Sequence, residues 1–199
     1  MTEEKIEGII LRVTPYKDQH RIITLFTPQG MMSVLAKRVS TTEKRALLSP
    51  FSQIELVYQK KQSDLLTFKD GSLLSDNRFL REKWDYLETA GKMGQLLLRS
   101  QLPGKPAPLL YSLYLACLKQ LPKFEETSPL LLMFYLKFLT HEGLLSWEDP
   151  DHFPFTLASD QWNLVKTMAE SRSFQALQKK KGLTPLLNLL EKNLKELIG

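Results

Sequence analysis

The chain has 199 residues, 43% hydrophobic and 25% charged, with a formal net charge of +5 and a pI of about 9.2, an ordinary globular composition suited to an anionic partner. A single cysteine, Cys117, excludes an intramolecular disulfide and any zinc site built on paired thiolates. The acidic start MTEEKIEG is not a secretory signal, and the most apolar stretch, Leu130–Leu139, carries Lys137 and is about half the length of a membrane span; a cytoplasmic chain with no membrane partner is expected.

Residues 5–74 carry strand chemistry. Ile6–Val13 reads as a first strand, Pro15-Tyr16-Lys17-Asp18-Gln19 as a polar turn and Arg21–Thr27 as a second strand. Thr27-Pro28-Gln29-Gly30 places proline and glycine where a tight reversal uses them, and Met31–Ala36 returns as the third strand. Ser40–Ser49 opens polar and has room for a short helix. Phe51–Lys60 alternates with a period of two; beyond a Lys61-Gln62-Ser63-Asp64 turn, Leu65–Phe68 and Leu73-Leu74 flank a Lys69-Asp70-Gly71 bend. Five strands with the longest connection between the third and fourth form the layout of an OB-fold barrel.

Past Asp76–Arg78 the period becomes helical. Leu80, Trp84, Leu87, Gly91, Gly94 and Leu98 fall on one face, and two glycines on it predict close packing by another element. Pro103–Pro108 is a linker, Leu109–Leu121 a second helix stopped by Pro122. Ser128-Pro129 starts a third, apolar almost all round and ended by Gly143, so it belongs at the centre of a bundle. Cys117 lies on the apolar pattern of the second helix and reads as a buried structural thiol. Trp147–Leu157 is a loop. Ser159 or Asp160 caps a helix through Met168, and Thr184-Pro185 opens the last one, with Leu186, Leu190, Leu194 and Leu197 as its stripe. The expected class is α+β and multidomain: a barrel over residues 1–78, then an α-helical domain over residues 79–199.

The barrel's third strand empties into Lys37, Arg38, Lys44 and Arg45, partly offset by Glu43. Cations on a barrel loop can track successive phosphates, and each neutralised phosphate releases counterions. An ordinary solvated loop is the competing reading, and composition alone leaves the two level. Arg12, Lys17 and Arg21 flank the first turn, a usual ligand loop of such barrels; Tyr16, in that turn, is the candidate for stacking on a base. Phe26 reads as core, His20 as a strand-end side chain, and Lys60 and Lys61 as a hairpin end. Arg78, Arg81 and Lys83 either extend the basic path or pair with Glu82 and Asp85; Lys179-Lys180-Lys181 is a second basic run. No GxxxxGK[ST] loop is present, and three histidines with scattered carboxylates offer no catalytic spacing beyond Asp149-Asp151-His152. No catalytic residue and no cofactor are expected.

In Gly8-Ile9-Ile10-Leu11-Arg12, Pro15-Tyr16, Ile22–Thr27, Gly30, Ala36-Lys37, Leu48–Pro50-Phe51, Phe79-Leu80-Arg81 and Leu102-Pro103 with Pro106 and Pro108, the chain resembles the bacterial recombination mediator family RecO. The resemblance covers roughly residues 5–145, and its specificity lies in order and spacing. It implies an OB-fold followed by a helical domain that binds single- and double-stranded DNA and anneals complementary strands. It further implies engagement of the C-terminal tail of single-stranded DNA-binding protein (SSB), and work with RecR so that RecA loads on coated DNA. It weights the basic loop toward phosphate contact and the location toward the nucleoid; a monomer is expected. Lys119, Lys123 and Lys137, near apolar helical faces, qualify as the rim of an SSB-tail pocket.

Two departures stand out. Many members carry two CxxC pairs after a segment like Glu142-Gly143-Leu144-Leu145, whereas Ser146–Leu157 holds none here, so no bound metal and a shortened loop are expected. His141 and His152 form at most a weak site, since structural zinc relies on thiolates. The family's run of arginines after the third strand is here Lys37-Arg38-Val39-Ser40-Thr41-Thr42-Glu43-Lys44-Arg45. The alternative function is an OB-fold protein-interaction module without DNA binding.

Overall fold

A computed structural model describes residues 3–60, 66–148, 157–171 and 173–198. They fall into two compact units, one formed by Met1–Phe79 with Gly94–Leu115, the other by Leu80–Met93 with Ala116–Gly199. The division passes through two helices, so each unit is assembled from two stretches of chain.

The first unit is built on β1 (Glu3–Tyr16), β2 (His20–Thr27), β3 (Gly30–Ala36), β4 (Gln53–Gln59) and β5 (Leu66–Ser75), which close in the order β1-β2-β3-β5-β4. This is the expected OB-fold barrel. β1 closes it by pairing with β4 through Glu3–Ile9 and with β2 through Ile9–Tyr16; β3 and β5 meet in parallel at Val34–Leu66 and Leu35–Thr67. The change of partner in β1 comes at a tight place. A Cβ on Gly8 would stand 3.0 Å from the Thr27 methyl and 3.2 Å from the Phe26 carbonyl oxygen, so glycine lets the backbones approach where the strand coils. Alternate residues fill the interior: Ile6, Ile10, Ile23, Leu25, Val34, Ile54, Leu56 and Phe68, joined by Val39 and Leu48 from either side of α1 (Thr42–Leu47).

Two local expectations change. Pro15 and Tyr16 belong to β1, which leaves a three-residue turn, Lys17–Gln19, with Lys17 and Asp18 at positive φ. The bend expected at Lys69-Asp70-Gly71 is a bulge in one continuous strand, because the register steps from Tyr58–Phe68 to Val57–Asp70 and leaves Lys69 over. Leu65 and the Lys61–Asp64 turn lie outside the described residues.

The same unit contains the end of α2 (Trp84–Ser100) and the start of α3 (Pro108–Gln120). The segment between them straps the barrel: Pro103 bridges Met31 in parallel, and the Ala107 N–H donates to the Pro28 carbonyl at 3.1 Å. Gly30, at φ +100°, passes so close to the Lys105 backbone that a Cβ would lie 2.3 Å from its carbonyl oxygen. Tyr111 packs edge-on against Phe26, ring centroids 6.0 Å apart, and its hydroxyl donates to Glu7 Oε1 at 2.7 Å; Gln53 Nε2 donates to the same oxygen at 2.6 Å. Burial first, then the carboxylate that accepts its proton, push the Tyr111 phenol well above its ordinary value. Gly94 does pack closely, 3.1 Å from the Tyr114 hydroxyl by its would-be Cβ, whereas Gly91 meets nothing within 4 Å.

In the second unit α4 (Ser128–His141) is the centre, buried from Pro129 to Leu136 and again at Phe138 and Leu139. It packs against α5 (Ser159–Glu170), α6 (Phe174–Gln178) and α7 (Thr184–Ile198). Leu186, Leu187, Leu190 and Leu194 supply the inward stripe of α7; the expected Leu197 lies outside the described side chains. Gly143, at φ +71°, ends α4 as its sequence position predicts. The Lys92 ammonium meets Glu88 at 3.3 Å and Glu191 at 3.1 Å, and the Tyr135 hydroxyl donates to Glu191 at 3.3 Å. Cys117 is fully buried, and burial pushes its thiol up. The face predicted for α2 is rotated: Tyr86, Thr89, Ala90, Met93, Leu96 and Leu97 are buried while Trp84 is 72% exposed. Leu80 sits in a separate 3-10 turn, Arg78–Arg81, so it does not set the phase of the helix that follows. No helix among the described residues is long and apolar enough to cross a membrane.

Candidate nucleic-acid interface

Pairing across β1, β2 and β3 sets out rows: Arg12 beside Thr24 beside Ser33, Thr14 beside Ile22 beside Leu35, and Tyr16 beside His20. Arg12, Thr14, Tyr16 and Ser33 are exposed; Ile22, Thr24, Leu35 and His20 are half-buried. These side chains alternate with Val13, Ile23 and Val34, which face the interior. Arg12 reaches this outer face because of a bulge. The register steps from Ile10–Leu25 to Arg12–Thr24 and leaves Leu11 over; in a regular strand Leu11 would stand opposite Thr24, and Arg12, two places after Ile10, would point into the core.

The rim of this open face is basic. Lys17 Nζ lies 5.5 Å from the centroid of the Tyr16 ring, which is 37% exposed. The Arg21 guanidinium donates to the His20 carbonyl at 2.8 Å and rests on the turn backbone. After β3, Lys37 and Arg38 are exposed, and Arg38 takes a left-handed conformation with φ +50°, which costs a non-glycine residue on the order of 1 kcal/mol. Two backbone contacts hold it. The Arg38 N–H donates to His20 Nδ1 at 3.3 Å, and the Val39 N–H donates to the Gln19 carbonyl at 2.8 Å. Thr41 caps α1 by accepting from the Lys44 N–H at 3.2 Å. The Lys44 ammonium turns back, donating to the Lys37 carbonyl at 2.9 Å and lying 5.5 Å from the centroid of the Phe68 ring. Arg45 is exposed on α1, as is Glu43.

The eight residues marked in the sequence therefore share one end of the barrel. Arg12 and Tyr16 stand on the open face, Lys17 and Arg21 at its first turn, Lys37 and Arg38 on the loop stitched to that turn, and Lys44 and Arg45 on α1. Sequence reasoning passed over Gln19 and His20 as the stitch. The hairpin held the signal: with Thr27 opposite Gly30 and Arg21 opposite Ala36, the next step sets residue 20 against residue 37. It also passed over Ile22, Thr24, Ser33 and Leu35 as the floor of the face. Phe26, read as core, is indeed fully buried, but beneath Tyr111 and not inside the barrel.

Other sequence candidates are placed differently. Arg78 pairs with Asp76 at 2.6 Å, Lys83 lies 5.1 Å from the Tyr86 ring centroid, and Lys181 pairs with Glu125 at 2.7 Å. Lys137 donates to the Ala169 carbonyl at 2.7 Å; Lys119 and Lys123 are exposed. Lys60 is exposed, while Lys61 lies outside the described residues. Among the described residues no three His, Cys, Asp or Glu side chains gather as metal ligands; Asp149, Asp151 and His152, in the loop expected to be shortened, lie outside them. Cys117 is buried on α3, so the thiolate set of two CxxC pairs does not fit this chain.

The family model described as Recombination protein O N terminal matches residues 1–76. A protein named DNA repair protein RecO from Chlamydia pneumoniae is 33% identical over 142 residues, 70% of this chain and 56% of that protein. The one from Chlamydia trachomatis serovar D is 31% identical over 142 residues, 70% of this chain and 58% of its own. The one from Bacillus subtilis is 30% identical over 143 residues, 70% and 56%. The chain spans a little over half the length of the relatives it matches.

Proposed function

With its first 76 residues matched by the RecO N-terminal model and 142 residues aligned to proteins named DNA repair protein RecO, the chain belongs to the RecO family, and we propose that it is a non-catalytic mediator of DNA repair and recombination. In this reading it binds single- and double-stranded DNA across the open face of β1-β2-β3 and anneals complementary strands. It takes SSB-coated single strands as its substrate, engages the SSB tail and, with RecR, helps RecA load. The observation that supports this most is the gathering of Arg12, Lys17, Arg21, Lys37, Arg38, Lys44, Arg45 and the exposed Tyr16 at one end of the barrel. An unspecific surface of this kind neutralises phosphates with its cations and offers a ring to any base. Two strands held on or near it repel each other less, so pairing is driven by binding and duplex formation without nucleotide hydrolysis.

The deciding experiment is annealing of complementary oligonucleotides, bare and SSB-coated, together with salt-dependent binding of a labelled single strand. Faster annealing in both cases, and binding that weakens steeply with salt, are expected. Absence of binding at low salt, or binding untouched by the combined change of Lys37, Arg38, Lys44 and Arg45 to Ala, leaves the interaction-module reading in its place.

A further inference from the structure

The four cations that follow β3 are not equivalent in geometry. Lys37 and Arg38 are exposed, whereas Lys44 is half-buried and its ammonium turns back to the Lys37 carbonyl at 2.9 Å and to the Phe68 ring, 5.5 Å from its centroid. His20 behaves alike from the other side. Its Nδ1 accepts the Arg38 N–H at 3.3 Å, next to the Gln19 carbonyl that accepts the Val39 N–H at 2.8 Å. The loop is thus gripped at three successive residues: by α1 at the Lys37 carbonyl, and by the β1–β2 turn at the Arg38 and Val39 amides. Between the grips Arg38 is held at φ +50°, a conformation that a free loop would abandon.

We infer that Lys44 and His20 are positioning residues of the nucleic-acid surface, which fix the Lys37–Val39 backbone so that Lys37 and Arg38 present their charges to phosphates, and that Lys44 is not itself a phosphate ligand. The inference rests on the reading of this rim as a DNA surface. It sets Lys44 apart from Lys37 and Arg38 in a cluster that looks uniform in sequence, and adds His20, from outside that cluster, as a second support. A pre-fixed loop gives up less conformational freedom on binding, so the supports act through affinity. Only the contacts release counterions, so only they set the salt dependence.

The test is salt-dependent binding of a fluorescein-labelled oligothymidylate to the full chain, with hydrogen exchange at the Arg38 and Val39 amides measured in the absence of DNA. Lys37→Ala should lower the slope of log affinity against log salt by about 0.7, the share of one single-strand phosphate. Lys44→Met should weaken binding about threefold to tenfold at an unchanged slope, the scale of one net hydrogen bond. Lys44→Gln, which keeps a donor without the charge, should recover most of that loss. His20→Ala should weaken binding at an unchanged slope and speed exchange at Arg38, while His20→Asn, with an acceptor close to the place of Nδ1, restores both. The thermal midpoint of each variant separates these effects from loss of folding. A Lys44→Met slope that falls as the Lys37→Ala slope does makes Lys44 a phosphate contact and overturns its positioning role. Unchanged affinity in Lys44→Met and His20→Ala overturns it too. If the wild-type chain shows no salt-dependent binding, the reading beneath fails and the inference goes with it; slope changes in a chain that binds strike the inference alone.

Discussion

The outer face of β1-β2-β3 is two surfaces on the same strands. Toward one end, Glu7, Ile9, Phe26 and Met31 lie under the strap of residues 103–111, where Phe26 is fully buried and Glu7 takes two hydrogen bonds. Toward the other, Arg12, Thr14, Tyr16, Thr24 and Ser33 have the same alternation and the same strand partners but are exposed or, at Thr24, half-buried. The chain marks the border with Leu11, whose bulge re-aims every β1 side chain after it. Strand pairing is thus indifferent to use. What sorts the two halves is whether their side chains must leave water to be stable, as Phe26 does, or keep charge and hydroxyl groups that water already satisfies.

If that division is right, the covered half carries stability and the open half carries binding, and changes in one should not register in the other. The largest effect is expected from Phe26→Ala. Removing a fully buried ring that packs on Tyr111 should cost about 3–5 kcal/mol in urea unfolding, with unchanged oligonucleotide affinity for the fraction that stays folded. Tyr16→Ala comes next and is its mirror image: stability should move by less than about 0.5 kcal/mol, while single-strand binding falls by roughly 1–3 kcal/mol if one base stacks there. Any large stability loss on Tyr16→Ala, or an affinity loss on Phe26→Ala beyond the unfolded fraction, breaks the comparison.

Tyr111→Phe is smaller, because Gln53 still donates to Glu7 after the hydroxyl is gone; about 1 kcal/mol is expected. Its signature is in pH. The folded phenol is held above its ordinary value of 10.0 by burial and by the Glu7 carboxylate. As pH rises past that value the unfolded chain releases the proton and the folded one retains it, so stability is full below and falls as pH climbs further. Tyr111→Phe should flatten that alkaline loss in a pH series of unfolding midpoints. An identical alkaline slope in both proteins would assign the loss to other groups, such as Tyr58, which burial and its hydrogen bond to Glu4 push up to about 12.

The barrel was legible because its signals are local. Period-two runs, a Pro28–Gly30 reversal and a long third connection need no knowledge of partners. The bulges at Leu11 and Lys69 were not, because an extra residue exists only relative to the strand opposite. The buried face of α2 was misjudged for a related reason: Leu80 was counted in phase with a helix that begins only at Trp84. At the candidate interface the cations were readable as cations, yet nothing local distinguishes Lys44, folded back on a carbonyl, from Lys37, which is not. The stitch from His20 to Arg38 could have been derived, since a tight turn at Pro28-Gln29 fixes which residues end up opposite at the far end of the hairpin.

The smallest effect expected is also the most pointed. Arg38 has positive φ on a loop gripped from both sides. In Arg38→Gly two backbone terms oppose: glycine relieves the left-handed strain, and its freer unfolded chain gives that gain back. Stability should therefore stay within about 0.5 kcal/mol of the original. Binding should still fall, and with a lower salt slope, because the guanidinium that would meet a phosphate is gone while the loop keeps its course. Arg38→Ala removes the same charge but leaves a Cβ at φ +50°, so it should match glycine in slope and differ from it only in stability. A slope that differs between the two would mean that the backbone, and not the guanidinium, makes the contact, and the open half of the face would then owe its binding to loop shape more than to charge.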